Sequence, residues 1–267
     1  MEVRSFEEQY YSLVDYILYN GERKLGRNGP TISIFSRLIE FDLSKGKFPL
    51  LTGRQIFYNG VFGELAALLR KPKHITDFEK YGCFYWKKWA NPDGSINVDY
   101  GNKWLDWDGV NQLEKLINTI KTNPNSRRMI ITGWDPRNIE DLDLPCCHYS
   151  YQWFVRDGKY LDMLWNQRSV DTMVGLPSDA VFAAAWNIAI ANEVGLIPGK
   201  VVMCLGDIHI YGEHTDLALK FLTMPKQEQP SYKLLSKLFT KTINFEPSDI
   251  QIINYNPGAR MKFELIS

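Results

Sequence analysis

Cysteine is scarce in this chain: Cys83, Cys146, Cys147 and Cys204 are the four among 267 residues, and no two are spaced as CxxC. That excludes a disulfide framework. Adjacent Cys146 and Cys147 are badly placed to bridge one another or to chelate zinc, so no metal is expected. Net charge is absent too, with 31 Lys and Arg against 31 Asp and Glu. No long basic run breaks that balance, so nothing requires a nucleic acid partner. No apolar stretch reaches the roughly 18 residues that a membrane span needs. The start of the chain, with Glu2, Arg4, Glu7 and Glu8, is too charged for a signal peptide. A reducing, cytoplasmic location is the expectation. Linkers, repeats and low-complexity segments are also missing, which predicts a single domain over residues 1–267.

What is present is apolar material, 45% of the residues, with an aromatic share of 13%. That is ample for a large core. Helical spacing of apolar residues predicts helices over 5–19, 55–70 and 110–121. Residues 181–194 are apolar on most sides, as a helix buried in the middle of a fold would be. Strands are expected over 31–43, 129–132, 149–156, 160–166 and 200–205, the last running on to Tyr211. Asp157-Gly158 makes a hairpin of two of them. Residues 251–255 and 261–266 read as short extended segments. The fold class is therefore α/β (α+β), helices packed on one large curved mixed sheet.

Three motifs carry chemistry. Leu144-Pro145-Cys146-Cys147-His148 sets a cysteine beside a histidine. Asn166-Gln167-Arg168-Ser169-Val170-Asp171 is a polar strand end bearing an arginine, and Gly175-Leu176-Pro177-Ser178-Asp179 opens a helix. Alone, a Cys-His pair is more often a buried structural thiol. Glu64 is a separate signal, because a carboxylate on an otherwise apolar helix face is costly unless it is used.

In order and spacing these motifs resemble the thymidylate synthase family, together with Ser126-Arg127-Arg128 and Gly206-Asp207-Ile208-His209-Ile210-Tyr211. The resemblance runs from about Arg27 to the end of the chain. It implies a covalent mechanism: a thiolate adds to carbon 6 of a pyrimidine, and carbon 5 then attacks a one-carbon unit. Cys147 takes the place of the nucleophile, since His148 follows it, and Arg168 that of its thiolate partner. Glu64 matches the proton-relaying glutamate, with Tyr100 and His148 completing the polar network. Arg27, Arg168 and Ser169 would bind a nucleotide phosphate, aided by Arg127 and Arg128 from the other subunit of a homodimer. Gln167 belongs to the substrate site, and His209 and Tyr211 would bind the sugar hydroxyl. The cosubstrate implied is 5,10-methylenetetrahydrofolate, lodged by Tyr85, Trp86, Trp89, Leu144, Asp171, Val174, Gly175 and Ile266. Arg54 replaces a lysine near its polyglutamate tail. Trp104, Trp107 and Trp134 read as core.

One departure matters most. Asp179 stands where the family carries a uracil-reading asparagine. An aspartate accepts from the amino group of cytosine and can stabilise a proton on nitrogen 3, so dCMP is expected ahead of dUMP. The competing use of Asp179 is to cap the helix beginning after Pro177. Ser178 also replaces a phenylalanine of the folate wall, and Ser267 ends the chain where an apolar residue usually seals the cleft. A wetter site favours water over hydride as the last reactant. Together these resemble the deoxycytidylate hydroxymethylase branch, by association a phage activity in the host cytoplasm. Methylation of dCMP, thymidylate synthesis from dUMP and a non-catalytic nucleotide-binding homologue are the alternatives.

Overall fold

Ser5 starts the first helix with a capping box: its hydroxyl accepts from the Glu8 amide, and the Glu8 carboxylate accepts from the Ser5 amide. This helix, α1 (Phe6–Asn20), buries Phe6, Tyr10, Val14 and Ile17. The structure is a computed structural model describing residues 4–235 and 241–266. β1 (Glu22–Gly26) and β2 (Gly29–Asp42) form a hairpin, and α2 (Tyr58–Leu68), α3 (Ile75–Glu79), α4 (Tyr100–Leu105) and α5 (Gln112–Thr122) follow. β3 (Ile130–Thr132), β4 (His148–Arg156) and β5 (Tyr160–Asp171) come next, then α6 (Gly175–Val194) and β6 (Ile197–Tyr211). α7 (Thr215–Leu222) and the small pair β7 (Ser231–Leu234) and β8 (Ile250–Ile253) follow, and short 3₁₀ turns lie between several of the described elements.

Six strands form one mixed sheet in the order β1-β2-β6-β5-β4-β3. Only β5 and β6 run parallel, because α6 crosses between them. The expected mixed α/β fold is what the chain adopts. α6 is buried all round, packing on β5 and β6 with α2 beside it. An aromatic cluster fills the space beneath, with Trp104 stacked on Trp186 at 4.3 Å.

Several boundaries differ from the sequence reading. α6 begins at Gly175 rather than 181 or after Pro177. Pro177 is tolerated there because first-turn amides have no helical partner. β5 runs to Asp171, so Arg168 and Ser169 lie in the strand. Residues 261–266 join no strand.

One level of the sheet positions the site. The pairs Phe35–Asp207 and Arg37–Leu205, with Gln167–Leu205 and Ser169–Asp207, set Ser36, Gly206 and Arg168 abreast across three strands. Ser36 is left-handed there (φ 66°), a conformation uncommon for any residue but glycine. A Cβ on Gly206 would come within 2.5 Å of the Arg168 carbonyl oxygen, so only glycine lets these strands close.

Candidate active site

Arg168 of this level lines a cleft of about 790 Å³. It is lined by every catalytic, substrate and cosubstrate residue named from the sequence except Arg127 and Arg128, which stand exposed ahead of β3.

Cys147 is half-buried just before β4, and its amide donates to the Tyr100 hydroxyl at 2.7 Å. Arg168 braces the same stretch from β5. Its amide donates to the Cys147 carbonyl at 2.8 Å, and its guanidinium to the carbonyls of Cys146 (2.9 Å) and Pro145 (3.1 Å). Burial pushes the Cys147 thiol above its ordinary range, Arg168 pulls it down and Asp179 pushes it up. Arg168 thus acts on the thiol through its charge while its hydrogen bonds go to main-chain carbonyls. Trp134 is no core residue: it lies under the guanidinium, 5.4 Å from its ring centre. Nothing in the spacing of Trp134 marked that role. Cys146 is buried with its sulfur turned to the Gly133 carbonyl, so the two cysteines have separate surroundings.

His148 is enclosed by Tyr100 and Trp165, with ring centres 4.6 and 4.2 Å away, and its Nδ1 lies 2.6 Å from the Tyr151 hydroxyl. Burial pushes its pKa down to about 3, so the imidazole is neutral at physiological pH.

Glu64 projects from α2 and accepts from the Tyr85 hydroxyl (2.7 Å) and the Trp86 indole (2.8 Å). Burial raises it to about 7 against the pull of both donors. Asp179 is likewise raised to about 7 by burial, Gln167 opposing and Glu64 and Asp171 adding to the rise. It is no helix cap, because α6 has Val174 at that position and Asp179 lies a full turn inside. Its Oδ2 accepts from the Gln167 amide at 2.6 Å. The Trp165 indole, a donor only, holds the Gln167 oxygen at 2.9 Å, and this orients the amide with its NH₂ towards Asp179.

At the far end, His209 Nδ1 lies 2.8 Å from Asp207 and its ring meets Tyr211 edge-on at 5.0 Å. Arg27, Asn28, Ser169 and Arg168 line the cleft beside them. Asp171 turns the chain into α6 by accepting from the amides of Met173 (2.8 Å) and Val174 (3.3 Å). Burial raises its carboxyl, with His214 and these amides opposing.

Trp86 is buried against Phe78 at 4.8 Å and meets Trp89 edge-on. Arg54 is buried, donates to the Met173 carbonyl and lies 4.8 Å from the Phe263 ring centre. The last described residues run along the cleft, which Phe263, Leu265 and Ile266 line. Lys88 donates to the Leu265 carbonyl, and His214 Nε2 lies 2.9 Å from that of Glu264. Ser267 lies outside the described residues.

A half-buried cysteine braced by an arginine, a half-buried glutamate and a carboxyl held by an oriented amide thus share one cleft. A family model described as thymidylate synthase matches residues 8–267. The chain belongs to that family, whose members use methylenetetrahydrofolate to transfer a one-carbon unit to carbon 5 of a pyrimidine nucleotide.

Proposed function

We propose that this chain is a dCMP 5-hydroxymethylase. The observation that carries the reading is Asp179, a carboxyl in the cleft whose Oδ2 already accepts from Gln167. Cytosine presents an amino donor beside an acceptor nitrogen. A carboxyl that can hold one proton matches that edge with one acceptor and one donor, and a pKa raised to about 7 keeps that proton within reach.

Cys147 adds to carbon 6, with Arg168 favouring the thiolate. Glu64 moves protons at carbon 5, and His148 and Tyr100 hold the polar network around it. Arg27, Arg168 and Ser169 take the phosphate, Gln167 and Asp179 the base, and His209 and Tyr211 the sugar. The surroundings suit a folate: Trp86, Trp89 and Leu144 are flat apolar walls, Asp171 is a carboxyl for an amino-pyrimidine edge, and Val174, Gly175, Tyr85, Arg54 and Ile266 frame them. Methylenetetrahydrofolate supplies the one-carbon unit as an electrophile.

A homodimer completes the phosphate site with Arg127 and Arg128 of the second subunit. Supporting it are Leu38 and Phe154, 67% and 61% exposed on the main sheet, as uncovered apolar side chains there suit a partner copy.

Water, rather than hydride, ends the reaction in this reading, supported by Ser178, a small residue that lines the cleft where a phenylalanine would stand, its hydroxyl donating to the Val174 carbonyl. The test gives the protein dCMP or dUMP with methylenetetrahydrofolate and follows product mass beside dihydrofolate absorbance. A 5-hydroxymethyl product from dCMP without dihydrofolate is expected. Stoichiometric dihydrofolate with a methylated nucleotide would make the protein a methyltransferase.

A further inference from the structure

We propose that Tyr85 is a positioning residue for Glu64, holding the carboxylate that takes the proton when water adds to the substrate; this rests on the hydroxymethylase reading. Tyr85 and Trp86 are neighbours on one short 3₁₀ turn, Tyr85–Lys88. Their donors close on different oxygens of one carboxylate, Tyr85 on Oε2 at 2.7 Å and Trp86 on Oε1 at 2.8 Å. A tyrosine has one proton to donate. Spent on Glu64, it is withheld from any ligand in the cleft, so Tyr85 is more than a wall.

A carboxylate has about four acceptor positions, and these two donors fill one on each oxygen. The rest are left to the cleft that Glu64 lines. Among the described residues, the titratable groups acting on or felt by Glu64 are Tyr85 and Cys83 beside it, Tyr151 from β4 and Asp179 from α6. None is cationic. Hydrogen bonding from Tyr85 and Trp86 therefore does for this anion what a lysine or arginine would otherwise do.

The step balances without oxidant or reductant. Water's oxygen bonds to the exocyclic carbon at position 5 of the ring, and one of its O–H bonds breaks. The proton goes to Glu64. The electron pair displaced into the ring then re-forms the bond between carbons 5 and 6 and expels the Cys147 sulfur as thiolate.

The test compares Tyr85→Phe with the wild type in kcat, KM and the pH profile of kcat/KM. Loss of a hydrogen bond to a charged group predicts a fall in kcat of roughly 10-fold, with both KM values unchanged. The limb set by Glu64 should move to higher pH, because the carboxylate loses a donor that favoured its charged form. On a Glu64→Gln background the same substitution should cost nothing more. Fluorotyrosine at position 85 keeps the ring but makes its hydroxyl a stronger donor, and must move the limb to lower pH; it decides the matter should Tyr85→Phe fold poorly. A raised KM for the folate with an unmoved limb, or additive losses, would overturn the proposal. Methylated product with dihydrofolate from the wild type defeats the hydroxymethylase reading instead. The pH limb, then read from release of tritium at carbon 5, separates that failure from the failure of Tyr85.

Discussion

The Gln167 amide donates to Asp179 at 2.6 Å, linking β5 to α6 inside the cleft. Trp165 fixes which way that amide faces. Whatever stands at 179 must therefore present an acceptor to Gln167, and what remains of its polar end is left for the base.

From this follows the effect of Asp179→Asn. The new side-chain oxygen would face Gln167 and the new NH₂ would face the substrate, where uracil offers a carbonyl and cytosine an amino group. The ratio of kcat/KM for dCMP to that for dUMP should fall by roughly 5- to 150-fold, since a buried donor left unpaired costs about 1–3 kcal/mol. An unchanged ratio would remove Asp179 from base selection.

Stability should respond to the same substitution in a pH-dependent way. Asp179 rises from an ordinary 3.8 to about 7 on folding, and Glu64 from 4.5 to about 7. Folding therefore takes up protons between about pH 4 and 7, so stability from these groups is complete below pH 4 and drains away as pH rises through 7. Asp179→Asn removes one of them. Its melting temperature should exceed that of the wild type by several degrees at pH 8, and by much less at pH 5.

The two cysteines should separate cleanly. Cys147→Ser should lose on the order of 10⁴-fold or more in kcat, on the scale of removing a catalytic nucleophile, while calorimetry still detects nucleotide binding. Cys146→Ser should keep most of its activity, because that sulfur faces the Gly133 carbonyl. The reverse pattern would exchange their roles.

Gly206→Ala tests the level of the sheet shared by Ser36, Gly206 and Arg168. The added methyl would press on the Arg168 carbonyl from 2.5 Å. Urea unfolding should show a loss of about 2 kcal/mol. Activity should drop as well, since the strand that shifts carries the guanidinium bracing Cys147.

Long elements were legible because their periodicity is set by burial: α1, β2 and the mostly apolar stretch 181–194 of α6 were all read from spacing. The sequence reading passed over β1, α3, α4, α7 and β7. β1 is exposed along its length and pairs on one side only, so no alternation marks it. Helices as short as α3 and α4 are not stable alone and owe their form to packing. The cleft was legible because its motifs recur in family order. What sits behind it was not: Trp134 under Arg168, Trp165 behind Gln167 and Phe263 against Arg54 are contacts between distant segments, and no local pattern encodes them.

The last described residues are tied through two main-chain oxygens, that of Leu265 to Lys88 and that of Glu264 to His214. Every amino acid carries that oxygen, so these two ties do not depend on which side chains stand at 264 and 265. Evolution could thus exchange the side chains there, and with them the wetness of the chamber, without dislodging the segment. Descendants of one ancestor could diverge in product while keeping the same closure.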